Sequence, residues 1–293
     1  NTTFTYQKAG SLDMIGLDHT GRDHLWPSSQ TALALYEMRH GKPNRPEIIF
    51  NTPIVLYTRR MVADALITNG YVTEQNGTYF LDMAKFLPAL ESGMHWSDLG
   101  LDLYGTVVVF TTDPTKSNSG NMFAGLLANV INGGNVVTQQ TVDAVLPKLT
   151  DIYRRLGYAE SSSADLFSQF LKTRVGAKPL AAGYESQLIE FSNTNPGDYA
   201  QLKDDVIMMH PVPTVWSSHV LLGLSDQGAK AVDVLMDKEI QTLAWEKHGF
   251  RTGINSANVD TSGLKVAGVS PVISRIIQMP DSQVMQRLID APQ

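Results

Sequence analysis

The chain has 293 residues, 43% of them hydrophobic and 18% charged, with a formal net charge of −6 and no cysteine. That length is too great for one small core and fits two compact α/β units. The acidic balance and scattered Lys and Arg leave no clustered basic face for phosphates or an anionic membrane, and the lack of thiols removes disulfides, thiolate catalysis and cysteine-held zinc or iron–sulfur clusters.

Residues 3–9 are β-branched and aromatic and read as a strand that ends at the Gly10-Ser11 turn, which a short helix can follow. Pro27-Ser28-Ser29-Gln30 leads into a helical pattern from Thr31 to Arg39, and residues 41–46 break it. Two apolar runs, Ile48-Ile49-Phe50 and Ile54-Val55-Leu56-Tyr57, are joined through Pro53, which removes a ladder donor. A helix follows from Arg59 to Gly70, then a small amphipathic stretch and a loop or short helix at residues 96–100. Thr106 to Thr112 is the clearest strand in the chain, and it delivers Asp113 to Asn121 to a helix over about 122–131.

Further helices are predicted at 141–156 and 163–175, a strand or strand-turn at 181–191, and a strand at Val206 to Met209 followed by prolines 211 and 213. Val220 to Leu222, helices near 226–236 and 238–248, and a terminal helix at 281–290 capped by Asp281 or Ser282 complete the order. Alternating strands and helices indicate α/β layers with mainly parallel sheets. Two strand–proline passages, around 48–57 and 206–213, bracket a middle block. They imply one lobe from 1–54 plus 209–293, a second lobe from 55–208, two hinge strands, and a ligand in the cleft between them.

Three strand-to-helix junctions carry the polar chemistry. The strongest is Asp113 to Asn121, where Ser117, Asn118, Ser119 and Asn121 crowd a helix N-terminus whose first N–H groups have no intrahelical partner. Those donors and the helix dipole suit an anion or polar ligand, and the serine and asparagine density exceeds what an N-cap requires. Gly10-Ser11 and Pro27-Ser28-Ser29 repeat the pattern, and in open α/β sheets ligands sit beyond the carboxyl ends of strands. Tyr184-Glu185 is placed to close the site from the middle block.

The ordered set Ala9-Gly10-Ser11, Trp26-Pro27-Ser28-Ser29, Thr52-Pro53-Ile54-Val55, Tyr104-Gly105-Thr106, Thr112-Asp113-Pro114 with Ser117 to Asn121, Tyr184-Glu185 and His248-Gly249-Phe250-Arg251 resembles the bacterial extracellular solute-binding proteins of ABC importers. Within them it is most similar to the molybdate/sulfate-like branch of the type II periplasmic-binding fold. The resemblance covers essentially the whole chain. It implies a monomeric binding protein in the periplasm or outside the cell, its export signal removed, with an ABC permease as partner. It also implies no cofactor, no nucleic acid and no catalysis. Oxyanions in that branch are held by backbone N–H groups and serine hydroxyls without a neutralising Lys or Arg. By position, Ser11, Ser28 and Ser29 are the contacts of the first lobe, and Ser119 with its neighbours and Tyr184 those of the second. Two departures stand out: the chain starts too late to hold the family's first strand–helix unit, and Glu185 would repel an anion if it faced one.

Other readings have less support in the residues. Asp18-His19 and Asp23-His24 hint at a metal site, but the spacing of the histidines does not share a helical face and Gly21 disfavours a helix. No Gly-x-Ser-x-Gly elbow, Walker loop or His-Glu-x-x-His is present, so nothing nominates a hydrolase. A sensor of the same fold for a small organic solute remains the alternative. Asn76-Gly77-Thr78 matches the glycosylation pattern by chance.

Overall fold

The computed structural model describes residues 3–253 and 258–291. A two-residue strand β1 (His24–Leu25) leads to α1 (Gln30–His40), the 14-residue β2 (Pro46–Arg59) and α2 (Arg60–Thr68). The hairpin of β3 (Val72–Gln75) and β4 (Thr78–Asp82) follows, then α3 (Met83–Ser92), α4 (Asn118–Ile131), α5 (Val142–Leu156) and α6 (Ser163–Lys172). After β5 (Leu180–Tyr184) come α7 (Glu185–Thr194), α8 (Pro196–Leu202), β6 (Val206–Val212) and β7 (Trp216–Gly223). The order ends with α9 (Asp226–Leu235), α10 (Lys238–His248), β8 (Arg251–Thr252) and α11 (Ser282–Asp290).

One strand organises the sheet. The first half of β2 pairs antiparallel with β7 from Pro46 to Pro53, and with β8 at Phe50 and Asn51 on its other edge. Its second half pairs with β6 from Leu56 to Arg59 and with β5 from Ile54 to Thr58. The partners change at Pro53–Ile54, where the Ile54 N–H reaches the Val215 carbonyl at 3.1 Å in the β6–β7 connection. The two apolar runs expected on either side of Pro53 are therefore one continuous strand. Its second run, Ile54 to Tyr57, is apolar throughout because both faces are covered: Ile54 and Leu56 enter the larger core with α2 to α5, while Val55 and Tyr57 enter another with α6 and α7. Ile49 and Phe50 pack under α9 and α10.

The α/β class holds, but the strand pairing is mixed rather than mainly parallel. Among the described strand pairs only β4 with β6 is parallel. Two physical causes act here. The chain returns past β2 in the opposite sense in both β6 and β7. The hairpin β3–β4 is joined by Asn76 and Gly77, with φ of 52° and 78°, the left-handed pair that a tight antiparallel turn demands. The Asn-Gly step is thus a turn signal.

Other expectations shift. Residues 3–10 form no strand, since the edge beside β7 is taken by β1 and strand propensity without a free edge gives no ladder. Residues 106–112 are extended, but Thr106, Phe110 and Thr112 each bridge a different segment, so no ladder grows. The stretch 181–191 is the end of β5 followed by α7. Finally, α11 belongs to a segment expected with the first lobe, yet Val284, Met285, Leu288 and Ile289 lie in the larger core beside α4 and α5. Its apolar stripe needs a partner, and that groove supplies one.

Candidate functional site

The approach to α4 is built by local chemistry. Asp113 Oδ1 accepts from the Thr115 N–H at 2.9 Å and its hydroxyl at 2.6 Å, and Oδ2 pairs with Lys116 at 3.2 Å, which turns the chain and occupies the one acid in the loop. Ser117 is the N-cap residue, but its side chain caps no N–H of the first turn. Its Oγ lies 3.0 Å from Ser119 Oγ, which lies 2.8 Å from Thr112 Oγ1. Gly120 makes the close approach possible: a Cβ there would sit 2.2 Å from the Thr112 carbonyl oxygen. The start of α4 is pressed onto the end of the extended segment, with hydroxyls around its donor end.

From the other side come the chain before α1 and strand β7. Ser11 Oγ is 2.9 Å from Ser28 Oγ and accepts the Ser28 N–H at 3.0 Å. The Ser28 carbonyl accepts from Asn118 Nδ2 at 3.0 Å and from Ser217 Oγ at 2.9 Å. Asn118 Nδ2 also reaches the Tyr184 hydroxyl at 3.0 Å and Ser217 Oγ at 3.3 Å. Asn118 is therefore the meeting point of α4, the Ser28 loop, β5 and β7. Burial pushes the Tyr184 phenol up to about 12, against hydrogen bonds from Asn118, Ser217 and Ser119 that lower it, so it stays a protonated donor at neutral pH.

Six of the residues singled out from sequence (Ser11, Ser28, Ser117, Asn118, Ser119 and Tyr184) thus form one connected network. Two stand apart. Ser29 Oγ accepts the Thr31 N–H at 3.2 Å and is the N-cap of α1. Asn121, 2% exposed, has no hydrogen-bond partner among the described residues for either Oδ1 or Nδ2. Sequence reasoning missed Thr112 and Ser217. Trp216-Ser217-Ser218 mirrors Trp26-Pro27-Ser28-Ser29, and that likeness was the available signal. Behind it, Ser218 Oγ donates to Asn51 Oδ1 at 2.7 Å and receives Gln30 Nε2 at 3.1 Å.

The charge that would oppose an anion is neutralised. Glu185 and Arg251 form a fully buried bidentate pair, Nε to Oε1 at 2.7 Å and Nη2 to Oε2 at 2.8 Å. The histidine pair that hinted at a metal is used otherwise. His19 Nε2 contacts the Met14 carbonyl and its ring stacks on Tyr36, and among the described residues no group of three His, Asp or Glu is placed to hold a metal. No described helix is long and apolar enough to cross a membrane.

No protein-family model and no curated protein sequence matches the chain. Solved structures do. The substrate-binding protein of an ABC transporter from Agrobacterium tumefaciens matches at 15% identity and a TM-score of 0.57, over 97% of this chain and 83% of that one. The sulfate-binding protein SubI from Mycobacterium tuberculosis matches at 16% and 0.53, over 84% and 75%. An extracellular solute-binding protein from Bordetella parapertussis matches at 13% and 0.55, over 84% of this chain but only 66% of its own length. At these identities the likeness is one of fold. The chain has the type II periplasmic-binding fold.

Proposed function

We propose that the chain is the solute-binding subunit of an ABC importer, acting as a monomer in the periplasm or outside the cell, and that its ligand is an oxyanion such as molybdate, tungstate or sulfate. The observation that carries this reading is Asn118, whose amide touches Ser28, Tyr184 and Ser217 at once. Around it stand uncharged groups, the Ser28 carbonyl and the hydroxyls of Tyr184 and Ser217, beside the first turn of α4, which Ser117 does not cap. Such a site stabilises a buried anion through N–H and O–H groups and the helix dipole, without a counter-charge.

In mechanism, one lobe comprises residues 1–54 and 209–293 and the other 55–208, with α11 lent across to the second. The hinge lies where β2 changes partners and where β6 passes to β7. The solute first meets Ser11 and Ser28, the hinge bends, and α4 and Tyr184 complete the site. An ABC permease then recognises the closed form.

Isothermal calorimetry with molybdate, tungstate, sulfate and phosphate, set against sugars and amino acids, tests the reading. Binding of an oxyanion alone is expected; binding of only an organic solute overturns the ligand class. That second reading, a small organic solute, draws support from Asn121, whose idle amide offers an acceptor as well as a donor.

A further inference from the structure

Immediately after Tyr184 the protein buries two opposite charges. Glu185 opens α7, while Arg251 opens β8, which pairs with the first half of β2. The pair thus ties the segment behind Tyr184 to the other half of the long strand. Beyond its two bonds to the carboxylate, the guanidinium donates from Nη2 to the Ser270 carbonyl at 2.6 Å. It also lies 5.9 Å from the ring centre of Trp216 and 5.5 Å from that of Trp245. Both side chains are completely shielded from solvent.

Burying such a pair gains little stability over apolar side chains of equal size, whereas removing one member leaves a stranded charge. The geometry shows what the pair holds in place. The first turn of α7 is gripped from β2, where Thr52 Oγ1 accepts the Ser186 N–H at 3.2 Å and the Tyr57 hydroxyl donates to the Tyr184 carbonyl. It is gripped from β8 by Arg251, and among the described residues the Tyr57 phenol and the His210 ring on β6 are titratable groups that also feel the pair.

We propose that Arg251 is a positioning residue of the ligand site: it cancels the Glu185 charge one residue from Tyr184 and locks the first turn of α7, so that the Tyr184 hydroxyl stays on Asn118 and an anion meets no carboxylate. This rests on the reading of the Asn118 cluster as an oxyanion site, and one arm of its test is independent of that reading.

The protein is labelled with 3-fluorotyrosine, and the Tyr184 resonance is assigned through Tyr184→Phe. Arg251→Met must shift that resonance and weaken molybdate binding by about tenfold, as expected for an uncompensated like charge nearby. Glu185→Gln, which leaves the cation, must strengthen molybdate binding, and because the group is buried the gain must persist at high ionic strength. The double variant must bind more tightly than Arg251→Met alone. A merely structural pair would weaken binding in all three variants, Glu185→Gln included, which overturns the proposal. If Arg251→Met does not fold, the opposite-sign effect of the near-isosteric Glu185→Gln decides. If the parent binds no oxyanion, the functional reading falls, and an unmoved Tyr184 resonance in Arg251→Met, or in Glu185→Gln should the former not fold, overturns the positioning role separately.

Discussion

The starts of α1 and α4 look alike in sequence and differ in what they do. Both follow an extended segment, and both have a serine at the N-cap and a second serine within two residues of it. At α1, Ser29 turns its oxygen onto the Thr31 N–H, so the junction is closed by its own side chain. At α4, Ser117 makes no such bond and instead contacts Ser119, which leans on Thr112. One junction satisfies itself; the other leaves its donor end framed by hydroxyls from other elements. A helix start becomes a candidate binding site when its serines are spent on each other rather than on its own N–H groups.

The sharpest way to break this contrast is Gly120→Ala. The added methyl would meet the Thr112 carbonyl at 2.2 Å, so the start of α4 must move. A loss of about 3 kcal/mol in unfolding free energy is expected, together with ligand binding; an unchanged melting temperature and affinity would refute the tight-approach argument. Next comes Ser119→Ala, expected to weaken ligand binding by about 2 kcal/mol, the cost of one buried hydrogen-bonding group. Calorimetry that finds unaltered affinity would remove Ser119 from the site.

A third test addresses β7, the strand that supports the α1 side. Burial pushes the His219 ring down from 6.5 to about 4. The folded state stays neutral where the unfolded chain takes up a proton, so stability falls as pH drops from 6.5 towards 4. The loss is about 2 kcal/mol once the partial exposure of the ring is allowed for. His219→Phe should flatten that slope in urea titrations at stepped pH. The smallest effect belongs to Ser29→Ala: about 1 kcal/mol of stability lost with the cap, and ligand affinity unchanged. If affinity falls as steeply as in Ser119→Ala, the two helix starts are not different in kind.

The contrast also shows how far sequence alone reaches. Periodicity placed α4, α5, α9, α10 and α11 within a few residues, because each carries an apolar stripe and recognisable ends, and Asp281 does cap α11. Serine-rich junctions located Ser11, Ser28, Ser117, Asn118, Ser119 and Tyr184 in one network, since local sequence brings hydroxyls to helix starts. It could not tell Ser29 from Ser117, whose roles depend on which acceptor or donor lies across the fold. The strand status of residues 3–9 and 106–112 was equally illegible, because a ladder requires a second chain segment that no local pattern names. Ser217 and Arg251 lie far along the sequence from the groups they serve, and no spacing rule links them.

One packing arrangement bears on how the molecule is made. The largest core is finished by α11, whose Val284, Met285, Leu288 and Ile289 fill the groove beside α4 and α5. During synthesis those two helices must wait for residues that emerge long afterwards, so their apolar faces have no native cover in the interval. A chain built in this way reaches its native state late, and it stays threadable for longer than one whose domains close in order.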